Sequence, residues 1–163
     1  MSASENLERS RQWFDAAFTD LEAVQALMDR NIYSLACFFA QQSAEKAMKG
    51  FLIAAGKAYP KEHSLENLRG LLPENAEISR LAPNRLDRYY IAPRYPESLP
   101  LGSSVRGAYD RTDAEDALRV ATGTTMLLAG WAQTLGVNIP WPNKPPDDQP
   151  QYTKSPKNSG PEF

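Results

Sequence analysis

The chain is poor in the residues that most often carry chemistry. It has one cysteine, Cys37, and one histidine, His63, in 163 residues. A lone cysteine excludes an intramolecular disulfide and suits a reducing compartment. One histidine with one cysteine cannot supply the usual ligand sets for zinc, so neither a metal site nor a cofactor is expected. No Gly-x-Ser-x-Gly elbow is present, and no glycine-rich loop that would cradle phosphates. Positive charge is not in surplus either. Eighteen Lys and Arg face 20 Asp and Glu, a net charge of −2, which excludes a global field drawing the protein to nucleic acid but not a local basic patch. No apolar run is long enough to span a bilayer, and the polar start, Met1 to Asn6, lacks a signal-type apolar core. The reading is a cytoplasmic protein with no membrane partner.

What the chain does have is helical periodicity. Phe14, Ala17, Leu21, Val24 and Met28 recur at steps of three and four, predicting a helix from about Glu5 to Asp29. A second helix is expected from Ile32 to Ala55, with Tyr33, Cys37, Ala40, Ala44, Ala47, Phe51 and Ala55 on its stripe. Small residues there let neighbours approach closely, so this helix should be central. Gly56 suits its C-terminal cap, and Pro60 prevents continuation. Ser64 caps a short helix carrying Leu65, Leu68, Leu71 and Leu72 inward, stopped at Pro73. Another is expected over Glu77 to Tyr90, kinked or broken at Pro83, with Ile78, Leu81, Leu86 and Tyr89 or Tyr90 inward. Prolines 93, 96 and 100 mark a long connection. Thr112 or Asp113 then caps a last helix from Ala114 to Leu135, closed by Gly136.

Seven of the 13 prolines fall between Pro140 and Pro161. Such a segment cannot bury enough apolar area to offset its ordering entropy. The domain reading is therefore a helical bundle over 5–136 and a flexible Pro-rich tail over 137–163, with at most Ile139 and Trp141 docking back.

One polar constellation stands out on the second helix. Gln42, Glu45, Lys46 and Lys49 share a face by steps of three and four, with Gln41 beside them. On spacing alone the ordinary reading is a solvated face with an i,i+4 pair between Glu45 and Lys49. His63 precedes the short helix, where a capping or inter-helix hydrogen bond is the ordinary role. Arg94 and Tyr95 lie in the long connection, where an arginine beside an aromatic suits a phosphate and a base. The ordinary alternative has Tyr95 plugging the end of the bundle and Arg94 solvated. Cys37, on the apolar stripe, reads as a small hydrophobe.

At these residues the sequence resembles the HEPN family. The matching pieces are Trp13 to Leu27 with Asp20-Leu21, the string Gln41-Gln42-Ser43-Ala44-Glu45-Lys46-Ala47-Met48-Lys49, His63-Ser64-Leu65, Arg94-Tyr95-Pro96, and the helix opened by Asp113-Ala114. The resemblance implies an all-α, four- to five-helix up-and-down bundle, similar to the C-terminal domain of kanamycin nucleotidyltransferase and often dimeric. It implies a role in nucleotide or RNA binding beside a minimal nucleotidyltransferase partner, in toxin–antitoxin or defence systems. Gln42, Glu45, Lys46, Lys49, His63, Arg94 and Tyr95 are then the candidate ligand-binding residues. Nucleases of the family use an arginine followed a few residues later by a histidine, and that motif is missing here. An isolated chain without activity is therefore expected. The alternatives are a metal-independent ribonuclease of unusual motif, with His63 catalytic and Lys57 or Arg94 as its electrostatic partner, and a pure dimerisation module. A homodimer is expected from the apolar excess on Trp13, Phe38, Phe39 and Trp131.

Overall fold

The computed structural model describes residues 2–59 and 61–142. The expected stop at Pro60 and the tail from Asn143 onward lie outside the described residues. All regular structure among the described residues is helical. Three long helices, α1 (Ala3–Asp29), α2 (Tyr33–Ala54) and α5 (Arg111–Thr134), are joined by two short ones, α3 (Leu65–Arg69) and α4 (Ala76–Leu81), and a 3₁₀ segment over Pro83–Tyr89. Among the described residues no helix is long and apolar enough to cross a membrane.

The stripes read from periodicity form the core. Phe14, Ala17, Leu21 and Val24 of α1, Cys37, Ala40, Ala44 and Ala47 of α2, and Ala114, Ala117, Ala121 and Leu128 of α5 are all fully buried. Helix α2 is buried on most of its circumference because α1 and α5 both pack on it. Gly50 shows how close α1 comes: a Cβ there would stand 3.1 Å from the Phe14 ring and 3.2 Å from Trp13 Cβ.

The directions of the helices decide which polar residues can meet. α1 and α2 are antiparallel, since Ser10 donates to the Gly50 carbonyl at 2.8 Å and Ser43 to the Ala17 carbonyl at 2.9 Å. α5 is antiparallel to α1, with Arg111 bonded to Asn31 at one end and Leu7 against Gly136 at the other. α2 and α5 therefore run parallel, with Ser43 against Thr125 and Phe51 against Trp131. A 22-residue helix is about 33 Å long at 1.5 Å per residue. The chain between them must climb back along that length. α3 still runs toward the far end of α2, from His63 beside Glu45 to Leu71 beside Lys57. α4 and the 3₁₀ segment then make the return pass, from Leu81 at Gly123 to Arg85 at Asp116, the broken third leg of an up-and-down bundle.

The break falls at Ala82. The residue before a proline is driven out of the right-handed helical region, and Ala82 takes φ 49°, ψ 57°. Beyond it the helix expected to reach Tyr90 tightens to 3₁₀ geometry. Two local expectations are corrected. Leu71 is exposed, because α3 ends at Arg69 before the leucine pattern does. The cap of α5 is Asp110, which forms a reciprocal box with Asp113, so Asp113 is the third helical residue rather than the cap. Thr112 takes no part in it. At the far end Gly136 closes α5 at φ 99°. Val137 and Ile139 are buried beyond it, and Trp141 lies 5.7 Å from Phe18.

Candidate functional site

The site forms where His63, at the start of α3, meets the Gln41–Lys49 stretch of α2 beside the end of the return pass. Its first anchor is the start of α3. Asp87, from the 3₁₀ segment, accepts from the backbone N–H of Leu65 at 2.7 Å and of Glu66 at 3.1 Å. Ser64 caps the same helix through the N–H of Asn67. These bonds tie α3 to the 3₁₀ segment and so hold His63 against Tyr90. The two rings stack with centroids 4.5 Å apart and planes 18° from parallel.

Glu45 is the hub. Its residue is 4% exposed, and its carboxylate accepts from Lys49 Nζ at 2.8 Å. His63 Nδ1 stands 3.0 and 3.1 Å from the two oxygens, and the amides of Gln41 and Gln42 each reach one oxygen at 3.3 Å. Gln41 also donates to the His63 carbonyl at 3.0 Å. A carboxylate accepts only, so the nitrogen facing it carries the proton. In the neutral ring Nε2 is then a bare acceptor, and it makes no hydrogen bond among the described residues. The His63 side chain is 48% exposed.

The solvated face expected from spacing is thus overturned for two of its members. Lys49 is 5% exposed, lying under Trp13 at 5.8 Å and Tyr59 at 5.5 Å. Buried charges persist only when paired and hydrogen-bonded, which is what Glu45 provides. Lys46 leaves the group altogether. It turns to α1 and binds Asp20 at 2.6 Å. Burial pushes the Asp20 carboxyl above its ordinary range, with Lys46 pulling the other way.

Arg94 joins the site through Tyr90. Its Nε donates to the Tyr90 carbonyl at 2.7 Å. Its guanidinium lies over three rings, Phe38 at 4.5 Å, Tyr90 at 4.7 Å and Tyr95 at 5.1 Å. The alternative of a plugging Tyr95 and a solvated Arg94 is reversed: Tyr95 is 49% exposed and Arg94 is half-buried. Lys57 stays apart, exposed and 3.5 Å from the Leu71 carbonyl, with no bond to His63. Cys37 is fully buried, and its thiol is pushed up to about 12, chiefly by burial. That makes it inert rather than nucleophilic.

Of the candidate residues, Gln42, Glu45, Lys49, His63, Arg94 and Tyr95 form one connected group, and Lys46 does not belong to it. Sequence reasoning missed Tyr90, Phe38, Trp13 and Tyr59 as its walls, and Asp87 as its anchor. The double tyrosine was a signal for Tyr90: one ring turns inward beside Cys37 and the other is left for His63. The four rings of the expected dimer surface find partners within the chain, Trp13 on Tyr59, Phe38 on Phe39 and Trp131 on Phe51.

Comparison with known proteins agrees with this architecture. The model of the HEPN domain matches residues 10–128. The chain belongs to the HEPN domain family. Two solved structures share the fold. The protein TT1696 from Thermus thermophilus has 33% identity and a TM-score of 0.68, covering 75% of this chain and 97% of that one. The archaeal HEPN homologue ST0689 has 30% identity and a TM-score of 0.63, covering 76% and 97%. The protein named "Putative toxin MJ1304" of Methanocaldococcus jannaschii is 27% identical over 138 residues, 76% of this chain and 88% of that protein. The matched span of this HEPN chain contains every residue of the Glu45–His63–Arg94 group.

Proposed function

We propose that this HEPN protein is a nucleotide- or nucleic-acid-binding helical subunit of toxin–antitoxin type, working as a homodimer with a small nucleotidyltransferase as partner. Similarity to the protein named "Putative toxin MJ1304" supports the system. One observation carries the binding role: Arg94 presents its guanidinium among Phe38, Tyr90 and Tyr95, one ring away from a half-exposed imidazole. Arginine pairs with phosphate through its planar fork, and exposed aromatic faces stack bases. Lys49 contributes by fixing Glu45 rather than by touching a ligand, because it is buried.

The test is fluorescence anisotropy with a labelled short RNA and with nucleoside triphosphates, at two salt concentrations. Affinity should fall with salt. Arg94→Ala should weaken it by about tenfold, the scale of one charge-assisted contact, with helical circular dichroism intact. Absence of binding to every nucleotide and RNA, with or without the partner, would leave a dimerisation module as the better reading. A monomer at tens of micromolar in sedimentation would remove the homodimer.

A second reading draws on the Glu45–His63 geometry. A carboxylate that fixes the imidazole tautomer and leaves Nε2 outward is an arrangement for general base chemistry. It supports metal-independent RNA cleavage by a motif unlike that of the family's nucleases. Cleavage in excess chelator that disappears in His63→Ala would establish it. Cleavage that survives the substitution would end it.

A further inference from the structure

Between residues 62 and 142 the chain has eight arginines and no lysine. Three of these arginines converge on a surface that the group around Glu45 does not include. Arg85, from the 3₁₀ segment, places Nη2 2.5 Å from one oxygen of Asp116 on α5, and Arg119 places its Nη2 2.7 Å from the other. Arg88, three residues beyond Arg85 on the same segment, is exposed, donates to the Tyr89 hydroxyl and holds its guanidinium 4.6 Å over the Tyr89 ring. The opposing groups are Asp116 itself and Asp113, which acts on Arg88 and is tied into the α5 capping box. Three cations thus face two carboxylates, one of them occupied elsewhere.

Arg85 and Arg119 are 48% and 61% exposed at the side chain. Their Nε and Nη1 groups make no hydrogen bond among the described residues. Exposed ion pairs of this kind add little stability, so stability does not explain the cluster. A single carboxylate between two guanidiniums does orient them, and it leaves most of their donors turned outward. Arginine retains its charge and binds phosphate oxygens two at a time.

The position of the cluster suggests its ligand. Arg85 and Arg88 ride on the same 3₁₀ segment that ends beside Tyr90, the ring stacked on His63 and covered by Arg94. The segment lies between the two groups, with Arg85 paired to Asp116 of α5 and Arg94, just past its end, over Phe38 of α2. A strand of several nucleotides carries phosphates for both groups, whereas a mononucleotide has a single phosphate end to place. The aromatic rings around Arg94 call for bases free of a duplex stack, which an acidic peptide lacks.

We propose that Arg85, Arg88 and Arg119 form a second phosphate-contacting patch, and that the ligand spanning it and Arg94 is a single-stranded polynucleotide. This rests on the binding role proposed for Arg94 and narrows it. The test is anisotropy with labelled oligouridylates from two to twelve nucleotides, on the full chain. The variants are Arg85→Ala/Arg119→Ala and a charge-matched control, Arg9→Ala/Lys57→Ala, with all of these residues exposed. Affinity should rise with length. The double variant should lose about tenfold or more on the long oligomers and none on the dinucleotide. Its salt slope should fall by about 1.4, at roughly 0.7 per phosphate contact on a single strand. The control should stay within about twofold, well under the tenfold of a 1.4 kcal/mol change. Equal affinity for all lengths, or equal loss in the control, would overturn the second patch while the binding role survives. No binding at any length would overturn both. Polyglutamate competing as well as an oligonucleotide of equal charge would assign the patch to an acidic protein segment instead.

Discussion

The Ser43 and Thr125 hydroxyls stand 3.0 Å apart, both residues fully buried, where α1, α2 and α5 meet. Ser43 gives its proton to the Ala17 carbonyl, so Thr125 must donate to Ser43. Two hydroxyls thereby bind three helices in an otherwise apolar layer. Ser43→Ala should cost about 1–3 kcal/mol, because it leaves the buried Thr125 hydroxyl without its acceptor. A urea-unfolding cycle with Thr125→Val should show a coupling of about 0.5 kcal/mol or more. Simple additivity would mean that the hydroxyls act independently.

Glu45 and Lys49 invite a similar experiment with a larger expected effect. Their side chains are 5% and 7% exposed. Glu45→Gln leaves the ammonium buried without a counter-ion, a loss of about 3–5 kcal/mol for pairs of this kind. At roughly 2–4 °C per kcal/mol for a chain of this size, the melting temperature should fall by several degrees. Glu45→Gln/Lys49→Met should recover much of that loss. Charge reversal at Lys49 is then a test of folding, not of ligand contact. A double variant no more stable than the single one would show that the pair is not isolated from solvent.

Asp20 gives a pH signature of unusual sign. Its carboxyl is raised above its ordinary 3.8 in the folded protein, first by burial. The folded state therefore holds the proton more tightly than the unfolded chain. Stability from this group is present at low pH and is lost as pH rises through the raised value. Relative to Asp20→Asn, the wild type should gain stability when urea unfolding is moved from pH 7 to pH 4. A relative loss on acidification would mean that the Lys46 bond outweighs burial.

Gly50 and Gly123 make a paired prediction about close approach. A Cβ at Gly50 meets the rigid Phe14 ring and Trp13 Cβ, so Gly50→Leu should destabilise by about 1–3 kcal/mol through overpacking. At Gly123 the obstacle is the far end of Leu81, which can rotate away. Gly123→Ala should be neutral or stabilising, since alanine is favoured over glycine in a helix interior by about 1 kcal/mol. Thermal melts of the two variants moving in the same direction would contradict this.

The long helices were legible because each buries one stripe at helical spacing, and Phe14 to Met28 or Ala114 to Ala132 can be read off directly. The elements of the connection from α2 to α5 were legible too, as a short helix capped by Ser64 and a second broken at Pro83, but its course was not. Its shape depends on α2 and α5 being parallel, a relation between elements rather than a pattern within one. The site inherits that limit. Spacing put Gln42, Glu45, Lys46 and Lys49 on one face, but α2 has a neighbour on either side. His63 claims Glu45, Trp13 and Tyr59 cover Lys49, and Asp20 of α1 claims Lys46. Arg94 was identified by its type and its loop, whereas Tyr90 and Asp87 needed the fold.

The parallel pairing of α2 with α5 also orders assembly in time. α1 and α2 meet across a tight turn at Asn31, φ 57°, so their contacts close a short loop at small entropic cost. α5 can find α2 only after the whole span from Ala55 to Asp110 is brought round. Contacts so distant along the chain form late in proteins whose rates follow topology. The histidine, the arginine and the second arginine cluster all sit on or beyond that late-closing stretch. The α1–α2 hairpin alone carries Glu45 and Lys49 but has no imidazole to hold. The Glu45–His63 and Arg94–Phe38 contacts thus form only once that stretch has returned to α2.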